Sequence, residues 1–249
     1  MAAQNPGRFL RQTLVEGVGE PGQIAIARAR VVVVGCGALG SVIASFLVRA
    51  GVGHVTLIDP DRVESSNLHR QILFDEDDAA AGRAKVDAAR ARLSNVHPTV
   101  CVEAIVGRFD AGNADGLIGE ADVVVDGTDN FTTRYEINEA CVRLGKPWIY
   151  GGVVGASGMS MTVIPRRTAC LRCVFPEAPV PGVGRSPERD GVLGPVVGVI
   201  GSMEAAEALK LIVGAAPGRG LAQVDLWEGA MSRLDVGGPR PDCETCGSR

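Results

Sequence analysis

Aromatic residues are scarce in this 249-residue chain: they make up 4% of it, whereas glycine occurs 33 times. That shortage argues against a β-sandwich with an aromatic core and favours Val, Ile and Ala strands joined by tight glycine turns. The chain also lacks a long apolar run, because residues 191–203 are interrupted by Pro195 and several glycines. We therefore expect no membrane-spanning helix. Residues 1–11 have no apolar signal-peptide core, which predicts a cytoplasmic protein.

The chain also has no strong excess of positive or negative charge. Lys and Arg total 25 and Asp and Glu total 29, so the formal net charge is −4, and no long basic run is present. This composition speaks against a nucleic-acid-binding surface. With 46% hydrophobic and 22% charged residues, the chain has enough apolar side chains for a sizeable core and does not resemble a disordered tail.

A strand, a glycine loop and a helix near the N-terminus form the clearest pattern. Residues 31–34 are an unbroken Val run, typical of a parallel strand buried on both faces. The glycine loop 35–40 follows, and apolar residues at helical spacing over 39–47 predict a helix. Residues 54–58 predict a second strand, which leads directly to Asp59. This βαβ unit is typical of mononucleotide binding.

Two glycines and one acid of this unit suit a nucleotide. Gly37 lets backbone N–H groups approach phosphate, and Gly40 lets the helix pack closely on the strand. Asp59 is placed to accept a hydrogen bond from a ribose hydroxyl. The pattern predicts an adenine nucleotide, and by itself it does not distinguish NAD, FAD, SAM and ATP.

The polar segment after Asp59 bears on that choice. Arg70 and Lys85 offer two cations to a triphosphate, whereas an NAD site needs only the acid. Ser66 and Asn67 can hydrogen-bond phosphate or ribose. In isolation such a charged run is equally typical of a solvated surface, so both interpretations stay open here.

Asp129 and Asn130 follow a predicted buried strand over 122–126. Ligands bind at the carboxyl ends of strands in open α/β sheets, where Asp129 could hold Mg²⁺ on phosphate oxygens. The same two side chains are typical of helix N-caps, and a helix is predicted over 131–144. Capping and catalysis are compatible, so the sequence excludes neither.

The rest of the chain continues the α/β pattern and then changes it. Helices alternate with strands up to about residue 155, after which alternating hydrophobicity predicts antiparallel strands. Residues 176–190 are rich in Pro, Gly and charge and predict a long exposed loop. The remaining predicted elements are helices over 83–94 and 196–213 and strands over 99–105, 148–154, 159–164, 223–227 and 231–236.

The chain has seven cysteines, an odd number that argues against a disulfide framework. Four of them form two C-x-x-C pairs: Cys170, Cys173, Cys243 and Cys246. Two such pairs predict a closed, tetrahedral and therefore structural Zn²⁺ site; a redox C-x-x-C is the rival, but no thioredoxin-like context accompanies it. Cys36, Cys101 and Cys141 stand alone in apolar surroundings, and we interpret them as small buried hydrophobic residues.

Taken together, these residues resemble the MoeB/ThiF/HesA family of ubiquitin-activating-enzyme-like adenylyltransferases. The similarity extends from about Arg8 to Cys246 and is greatest to the molybdopterin-synthase adenylyltransferase branch. The motifs that carry it are Arg8-x-x-Arg11-Gln12, the glycine loop, Ser66-Asn67-Leu68-x-Arg70-Gln71, Lys85, Thr128-Asp129-Asn130 and the two cysteine pairs.

The resemblance implies ATP-dependent adenylation of the C-terminal glycine carboxylate of a small ubiquitin-like sulfur-carrier protein, with release of pyrophosphate. It implies an ATP site formed by Gly37, Ala38, Gly40, Asp59, Asp61, Ser66, Asn67, Leu68, His69, Arg70, Lys85, Asp129 and Asn130. Arg70, Lys85 and Asp129 would be catalytic, with Asp129 as the Mg²⁺ ligand. Arg11 would act as an arginine finger in the partner subunit's site, which implies a homodimer. The four paired cysteines would hold Zn²⁺.

The chain departs from the family pattern at two places. Ala38 stands where the family usually has Gly, and the added methyl group narrows the approach of phosphate. Many relatives carry a cysteine before Gly191 that binds the carrier covalently, whereas residues 185–190 contain no thiol. No rhodanese-like domain follows in this sequence either. We therefore expect adenylation without a thioester between enzyme and carrier.

Two other function classes were weighed against this one. An NAD(P)-dependent Rossmann oxidoreductase accounts for the glycine loop and Asp59, but leaves Arg70, Lys85 and Asp129 unexplained. A non-catalytic subunit of an activating enzyme often lacks the lysine and the aspartate of the ATP site, and both are present here. The residues do not identify the carrier, so molybdopterin, thiamine, thiolated tRNA, cysteine and secondary-metabolite pathways all stay open.

We therefore expect an α/β fold: a Rossmann-like, doubly wound and mostly parallel sheet continued by antiparallel strands, with a structural zinc site. Residues 1–249 would form a single ThiF-type domain, with a nucleotide-binding half over 1–155 and a zinc-stapled carrier-docking half over 156–249. The loop 176–190 and exposed strand edges are candidate docking surfaces. The expected partners are the carrier, a second copy of the chain, and a sulfurtransferase or cysteine desulfurase, with no nucleic acid and no membrane.

Overall fold

The computed structural model describes residues 7–178 and 186–247, and one eight-stranded sheet runs through these ranges. Its strands are β1 (Arg30–Val34), β2 (His54–Asp59), β3 (Cys101–Val106), β4 (Val123–Asp126), β5 (Trp148–Val154), β6 (Ser157–Val163), β7 (Leu221–Asp225) and β8 (Ala230–Leu234). Their spatial order is β3-β2-β1-β4-β5-β6-β7-β8. The first five are parallel, and β6 to β8 continue the sheet antiparallel. The predicted α/β class is confirmed.

Helices cover both faces of the sheet. They are α1 (Leu10–Thr13), α2 (Gly19–Arg28), α3 (Ala38–Ala50), α4 (Glu76–Ala80), α5 (Lys85–Val96), α6 (Ala114–Ile118), α7 (Phe131–Leu144), α8 (Leu171–Val174), α9 (Pro187–Asp190) and α10 (Gly194–Ile212). The predicted helices and strands are all present, with ends that differ by at most three residues. Within the described ranges, no helix is both long and apolar enough to cross a bilayer.

Strand β1 lies inside the parallel part of the sheet and buries both of its faces, as its Val run predicts. Val31 and Val33 pack with α3, α5 and α10, whereas Val32 and Val34 pack with α6 and α7 on the other side. All four are at most 4% exposed. Burying a side chain of this size stabilises the fold by about 1.5–3 kcal/mol. Strand β1 is therefore firmly held in the sheet, and the glycine loop follows directly from its carboxyl end.

Two glycines end the helices that flank the glycine loop and the 128–130 segment. Gly51 ends α3 with a φ of +85°, and Gly145 ends α7 with a φ of +69°. This left-handed conformation costs glycine little, and it lets the backbone N–H of each residue bond back to the last turn. Both helix ends are therefore set by local sequence.

Two sequence predictions need correction. Cys101 is exposed rather than buried, because β3 is the edge strand of the sheet and one of its faces is open to solvent. Cys36 and Cys141 are buried, as predicted. Residues 176–190 are not loop throughout: 187–190 form α9, a single turn begun by Pro187, and 179–185 lie outside the described residues.

Candidate nucleotide site and cysteine cluster

A cavity of about 1490 Å³ opens at the carboxyl ends of β1, β2, β4 and β5. It lies where β1 is flanked by β2 on one side and β4 on the other, which is the topological switch point where α/β sheets bind ligands. Its wall contains nine of the predicted residues: Gly37, Ala38, Asp59, Asp61, His69, Arg70, Lys85, Asp129 and Asn130. Five others lie outside the wall: Arg11, Gly40, Ser66, Asn67 and Leu68.

The glycine loop packs against the neighbouring loop after β4. Gly35 has a φ of +91°, and a Cβ at this residue would collide with the backbone of Gly127. A Cβ at Gly40 would collide with the carbonyl oxygen of Gly35, so Gly40 serves packing rather than contact with a ligand. Gly37 is the N-cap of α3 and has no side chain to cap the helix. The free N–H groups of α3 therefore form a site for an anion.

Asp59 fixes the glycine loop through a hydrogen bond to its backbone. Its Oδ2 accepts a hydrogen bond from the backbone N–H of Cys36 at 2.7 Å, and its Oδ1 accepts one from the N–H of Asp61 at 2.8 Å. Burial raises the pKa of the Asp59 carboxyl, while nearby Lys85 and these two N–H groups act in the opposite direction. Each carboxyl oxygen keeps further acceptor capacity, so a role toward ribose is compatible with this anchoring role.

Lys85 is one of the buried cations in the cavity wall. It is the first residue of α5, its side chain is 8% exposed, and its Nζ lies 2.9 Å from Oδ2 of Asp61. Asp61 is 60% exposed at its side chain, so the pair stands at the boundary between the core and the open cavity. An incoming phosphate can compete with Asp61 for the ammonium group.

The predicted phosphate-binding segment 65–71 is a short turn whose residues face different ways. Ser65–Asn67 form a 3₁₀ helix, and the guanidinium of Arg70 donates back to the carbonyl of Ser66 at 3.1 Å. Ser66 Oγ bonds Glu64, and Leu68 packs against the core. Among the residues of this segment, His69, Arg70 and Gln71 reach the cavity wall.

The loop after β4 carries Asp129 and Asn130. Asn130 caps α7, because its Oδ1 accepts a hydrogen bond from the N–H of Thr133 at 2.9 Å. Asp126 fixes the start of the loop, because its Oδ1 accepts from both the N–H and the hydroxyl of Thr128. Asp129 forms no ion pair with a lysine or arginine among the described residues. Its carboxylate therefore lies in the wall without a direct salt bridge, although the charge of Arg134 acts on it electrostatically.

Sequence reasoning missed Arg134, a buried cation at the same end of the cavity. It lies on α7, pairs with Asp126 and bonds the carbonyl oxygens of Thr128 and Gly151. The spacing of eight residues between Asp126 and Arg134 was visible in the sequence. This spacing does not predict a contact, because the strand, the loop and the helix bring the two side chains together only in the folded chain.

Arg11 lies on α1, away from the cavity of its own chain. The neighbouring side chains hold this segment in place: Gln12 donates to the carbonyl of Ala50 at 2.9 Å, and Phe9 stacks on His97 with 5.7 Å between ring centroids. The position of Arg11 is therefore fixed by its neighbours on a surface formed by the ends of α3 and α5.

The two C-x-x-C pairs come together as predicted. All four Sγ atoms lie within 4.8 Å of one another, with Cys170–Cys173, Cys170–Cys243 and Cys173–Cys246 separations of 3.8, 3.6 and 3.3 Å. A tetrahedral Zn²⁺ with Zn–S bonds near 2.3 Å places its sulfurs about 3.8 Å apart, so the cluster fits this ion. Asn138 Nδ2 and the backbone N–H of Arg240 point at Cys170 and Cys173, respectively.

Comparison with known proteins agrees with this geometry. A family model described as the ThiF family matches residues 9–245. The sulfur carrier protein adenylyltransferase of Thermus thermophilus is 41% identical over 249 residues, covering 96% of this chain and 90% of that protein. The sulfur carrier protein ThiS adenylyltransferase of Bacillus subtilis is 38% identical over 244 residues, covering 98% of this chain and 72% of that protein.

Among solved structures, Escherichia coli MccB crystallised with ATP superposes with a TM-score of 0.83 at 25% sequence identity. The match covers 98% of this chain and 75% of that chain. The family model and the identity to curated relatives extend over nearly the whole sequence. This chain belongs to the ThiF family.

Proposed function

We propose that this chain is an adenylyltransferase that activates the C-terminal glycine carboxylate of a small ubiquitin-like sulfur-carrier protein with ATP. The observation that carries the proposal is one cavity, at the switch point of the sheet, that combines a free helix N-terminus with Arg70, Lys85 and Asp129. The names of the Thermus thermophilus and Bacillus subtilis relatives support the same activity. They do not favour the oxidoreductase alternative.

In the proposed reaction, a carboxylate oxygen of the carrier attacks the α-phosphorus of ATP. The bond between the α-phosphorus and the bridging oxygen to the β-phosphate breaks, and pyrophosphate leaves with the bond's electron pair. The product is the carrier acyl-adenylate. The carboxylate is already ionised at neutral pH, so no general base is needed. The catalytic task is to bring an anion to a polyanion and to stabilise charge on the leaving pyrophosphate.

The chain's own cations suit that task. Lys85 is held at the cavity wall with its ammonium group paired with Asp61. Arg70 lies on the adjoining turn, and among the described residues its guanidinium bonds only to that turn. Both can exchange these partners for phosphate oxygens. Arg11 lies outside its own cavity, and we propose that it completes the site of a second copy in a homodimer.

Asp129 is the residue that we assign to Mg²⁺. Its carboxylate lies in the cavity wall and forms no salt bridge among the described residues, which fits the one or two carboxylates that Mg²⁺ takes beside phosphates. When bound, the ion neutralises charge on the phosphates. The four clustered cysteines are assigned to a structural Zn²⁺, which would tie residues 243–246 to α8.

The carrier would approach along the hairpin of β7 and β8. Ala230 and Ser232 of β8 line the cavity, while Trp227, Met231 and Leu234 of the same hairpin are more than half exposed. An exposed apolar surface of this kind is typical of a protein-binding site. A Gly-Gly tail, which carries no side chains, would be the segment of the carrier that enters the cavity. No thiol in residues 186–191 is present to capture the carrier covalently, in line with adenylation alone.

The test is ATP–pyrophosphate exchange with purified enzyme and a candidate carrier that ends in Gly-Gly. Exchange should require the carrier, and mass spectrometry should show carrier that has gained one AMP. The same carrier lacking its last glycine should support neither. Exchange that is independent of the carrier, or an adduct of carrier on the enzyme that thiol reagents release, contradicts the proposal.

A further inference from the structure

Arg134 has a more central place in this cavity than its absence from the sequence motifs suggests. Its side chain is 7% exposed and makes three polar contacts with three different segments. Nε donates to Asp126 Oδ2 at 3.0 Å, at the end of β4. Nη2 donates to the carbonyl of Thr128 at 2.7 Å and to that of Gly151, on β5, at 2.9 Å.

These contacts converge on the loop that carries Asp129. Asp126 accepts two bonds from Thr128 through Oδ1, and its Oδ2 is taken by Arg134. Arg134 in turn binds the Thr128 carbonyl, which belongs to the peptide unit leading to Asp129. The residue immediately before Asp129 is thereby held at its N–H, its hydroxyl and its carbonyl. The backbone at residue 128 cannot rotate without breaking at least one of these hydrogen bonds.

The remaining surroundings hold the guanidinium itself. Its carbon atom lies 5.3 Å from the ring centroids of both Phe131 and Tyr150. A planar guanidinium fits between two rings and can direct separate N–H groups to a carboxylate and to two carbonyls. A lysine ammonium is a point charge that cannot reproduce this arrangement. The site therefore requires the shape of arginine and not only its charge.

We propose that Arg134 is a positioning residue of the adenylation site, which fixes the Thr128 peptide so that the Asp129 carboxylate is presented to the phosphate-bound metal. The inference rests on the proposed role of Asp129. Arg134 does not need to touch ATP or carrier for this role. Its contribution is to remove alternative orientations of the loop before the metal and the nucleotide bind.

The experiment measures metal binding rather than turnover. Mn²⁺ is titrated into the full chain with a non-hydrolysable ATP analogue, and free Mn²⁺ is followed by electron paramagnetic resonance. Arg134→Lys should raise the dissociation constant of Mn²⁺ about tenfold, the range seen when a group that orients a metal ligand is removed. Arg143→Lys is the matched control, because Arg143 lies on the same helix but pairs with Asp115 on the surface. It should bind Mn²⁺ as the wild type does.

A double substitution shows whether Arg134 acts through Asp129. Asp129→Asn alone should weaken Mn²⁺ binding, and adding Arg134→Lys to it should cause little further loss. If Arg134→Lys does not fold, as judged by its thermal melt, the double variant Asp126→Asn/Arg134→Met replaces it, because it removes both charges together and leaves no buried carboxylate unpaired. Unchanged Mn²⁺ affinity in the Arg134 variant, or an undiminished effect in the Asp129→Asn background, overturns this inference alone. Unchanged affinity in Asp129→Asn overturns the metal role of Asp129 and this inference with it.

Discussion

Glu204 of α10 lies with its carboxyl group against Gly151 of β5, in the space that a side chain at residue 151 would occupy. The carboxyl is fully buried, and neither oxygen has a hydrogen-bond partner among the described residues. Burial, together with the nearby Asp126 carboxylate, raises the pKa of Glu204 well above its usual value, while Arg134 acts against this shift. This environment therefore favours the neutral form of Glu204, beside an arginine and an aspartate that already pair with each other.

The first prediction is that Glu204→Gln reduces the decrease in the free energy of unfolding that the wild type shows as pH rises. An acid whose pKa is raised by folding is protonated in the folded chain and ionised in the unfolded chain between the two pKa values. The free energy of unfolding therefore falls as pH rises above the unfolded pKa, by up to about 1.4 kcal/mol per pH unit. Glutamine does not titrate, so the variant should gain on the wild type as pH rises. Urea unfolding from pH 5 to pH 9 measures the difference.

Glu207→Gln is the control for this prediction, because Glu207 lies one turn further along α10. Burial disfavours its ionisation, but hydrogen bonds from Lys210, Gly218 and Thr162 outweigh burial and lower its pKa. Its replacement should cost stability at neutral pH and should not flatten the alkaline decline. Parallel stability curves for the wild type and Glu204→Gln would show that Glu204 is not held neutral.

The second prediction concerns Lys85. Lys85→Ala should reduce carrier-dependent ATP–pyrophosphate exchange by about 10²–10³-fold, the usual loss when one group that stabilises transition-state charge is removed. The fold should persist, because the Asp61 carboxylate left behind is largely exposed to solvent. Lys210→Ala is the matched control, since Lys210 pairs with Glu207 outside the cavity. Exchange near the wild-type rate in Lys85→Ala would remove Lys85 from the reaction.

The glycine loop and its flanking elements could be predicted because their causes are local. The Val run of β1, the helical spacing after Gly37 and the left-handed end at Gly51 each depend on residues close in sequence. Helix α2 was not predicted, because Gly19, Pro21 and Gly22 weaken every local indication of a helix there. That helix is held by tertiary contacts, such as the bond from Gln23 to the Ala50 carbonyl.

The residues of the candidate site likewise fall into two groups: those with local causes in the sequence and those that depend on tertiary structure. Asp59, Lys85 and Asp129 could be placed near the ligand-binding edge from motif spacing, because Asp59 and Asp129 follow predicted strands and Lys85 lies in the first turn of the helix predicted over 83–94. The pairing of Lys85 with Asp61, and of Arg134 with Asp126, depends on how the elements meet in space. The exposure of Cys101 depends on strand order, which places β3 at the edge of the sheet. The order of the strands in the sheet could not be predicted from this single sequence.

The third prediction uses the three solitary cysteines. A thiol reagent added to the folded, zinc-loaded protein should label Cys101 and leave Cys36 and Cys141 unmodified. Burial raises the pKa of both the Cys36 and the Cys141 thiols, so they are neither accessible nor ionised. Mass spectrometry of the labelled chain and of Cys101→Ser identifies the site. Labelling of Cys36 without denaturant would show that the glycine loop opens in solution.

The fourth prediction is that Cys243→Ser removes bound zinc and lowers Tm while sparing nucleotide affinity. Cys243 lies 3.6 Å from Cys170, so its loss opens a four-sulfur cluster that joins the C-terminal segment to α8. Structural zinc sites contribute folding energy directly. If the lost zinc site costs about 3 kcal/mol of folding free energy, Tm should fall by about 10 °C, because a chain of this size loses about 2–4 °C per kcal/mol.

The nucleotide cavity should keep its affinity in this variant, because the wall residues assigned to ATP follow β1, β2 and β4 or begin α5, and the wall contains none of the four clustered cysteines. Cys101→Ser is the matched control: it makes the same chemical change at an exposed thiol on the edge strand, so zinc content and Tm should both stay at wild-type values. Elemental analysis gives zinc per chain, and calorimetry gives Tm and the affinity for Mg-ATP. One zinc per chain in Cys243→Ser, at an unchanged Tm, would show that the four sulfurs do not form a shared metal site. A loss of nucleotide affinity equal to the loss of zinc would instead show that the cluster supports the cavity as well as the C-terminal segment.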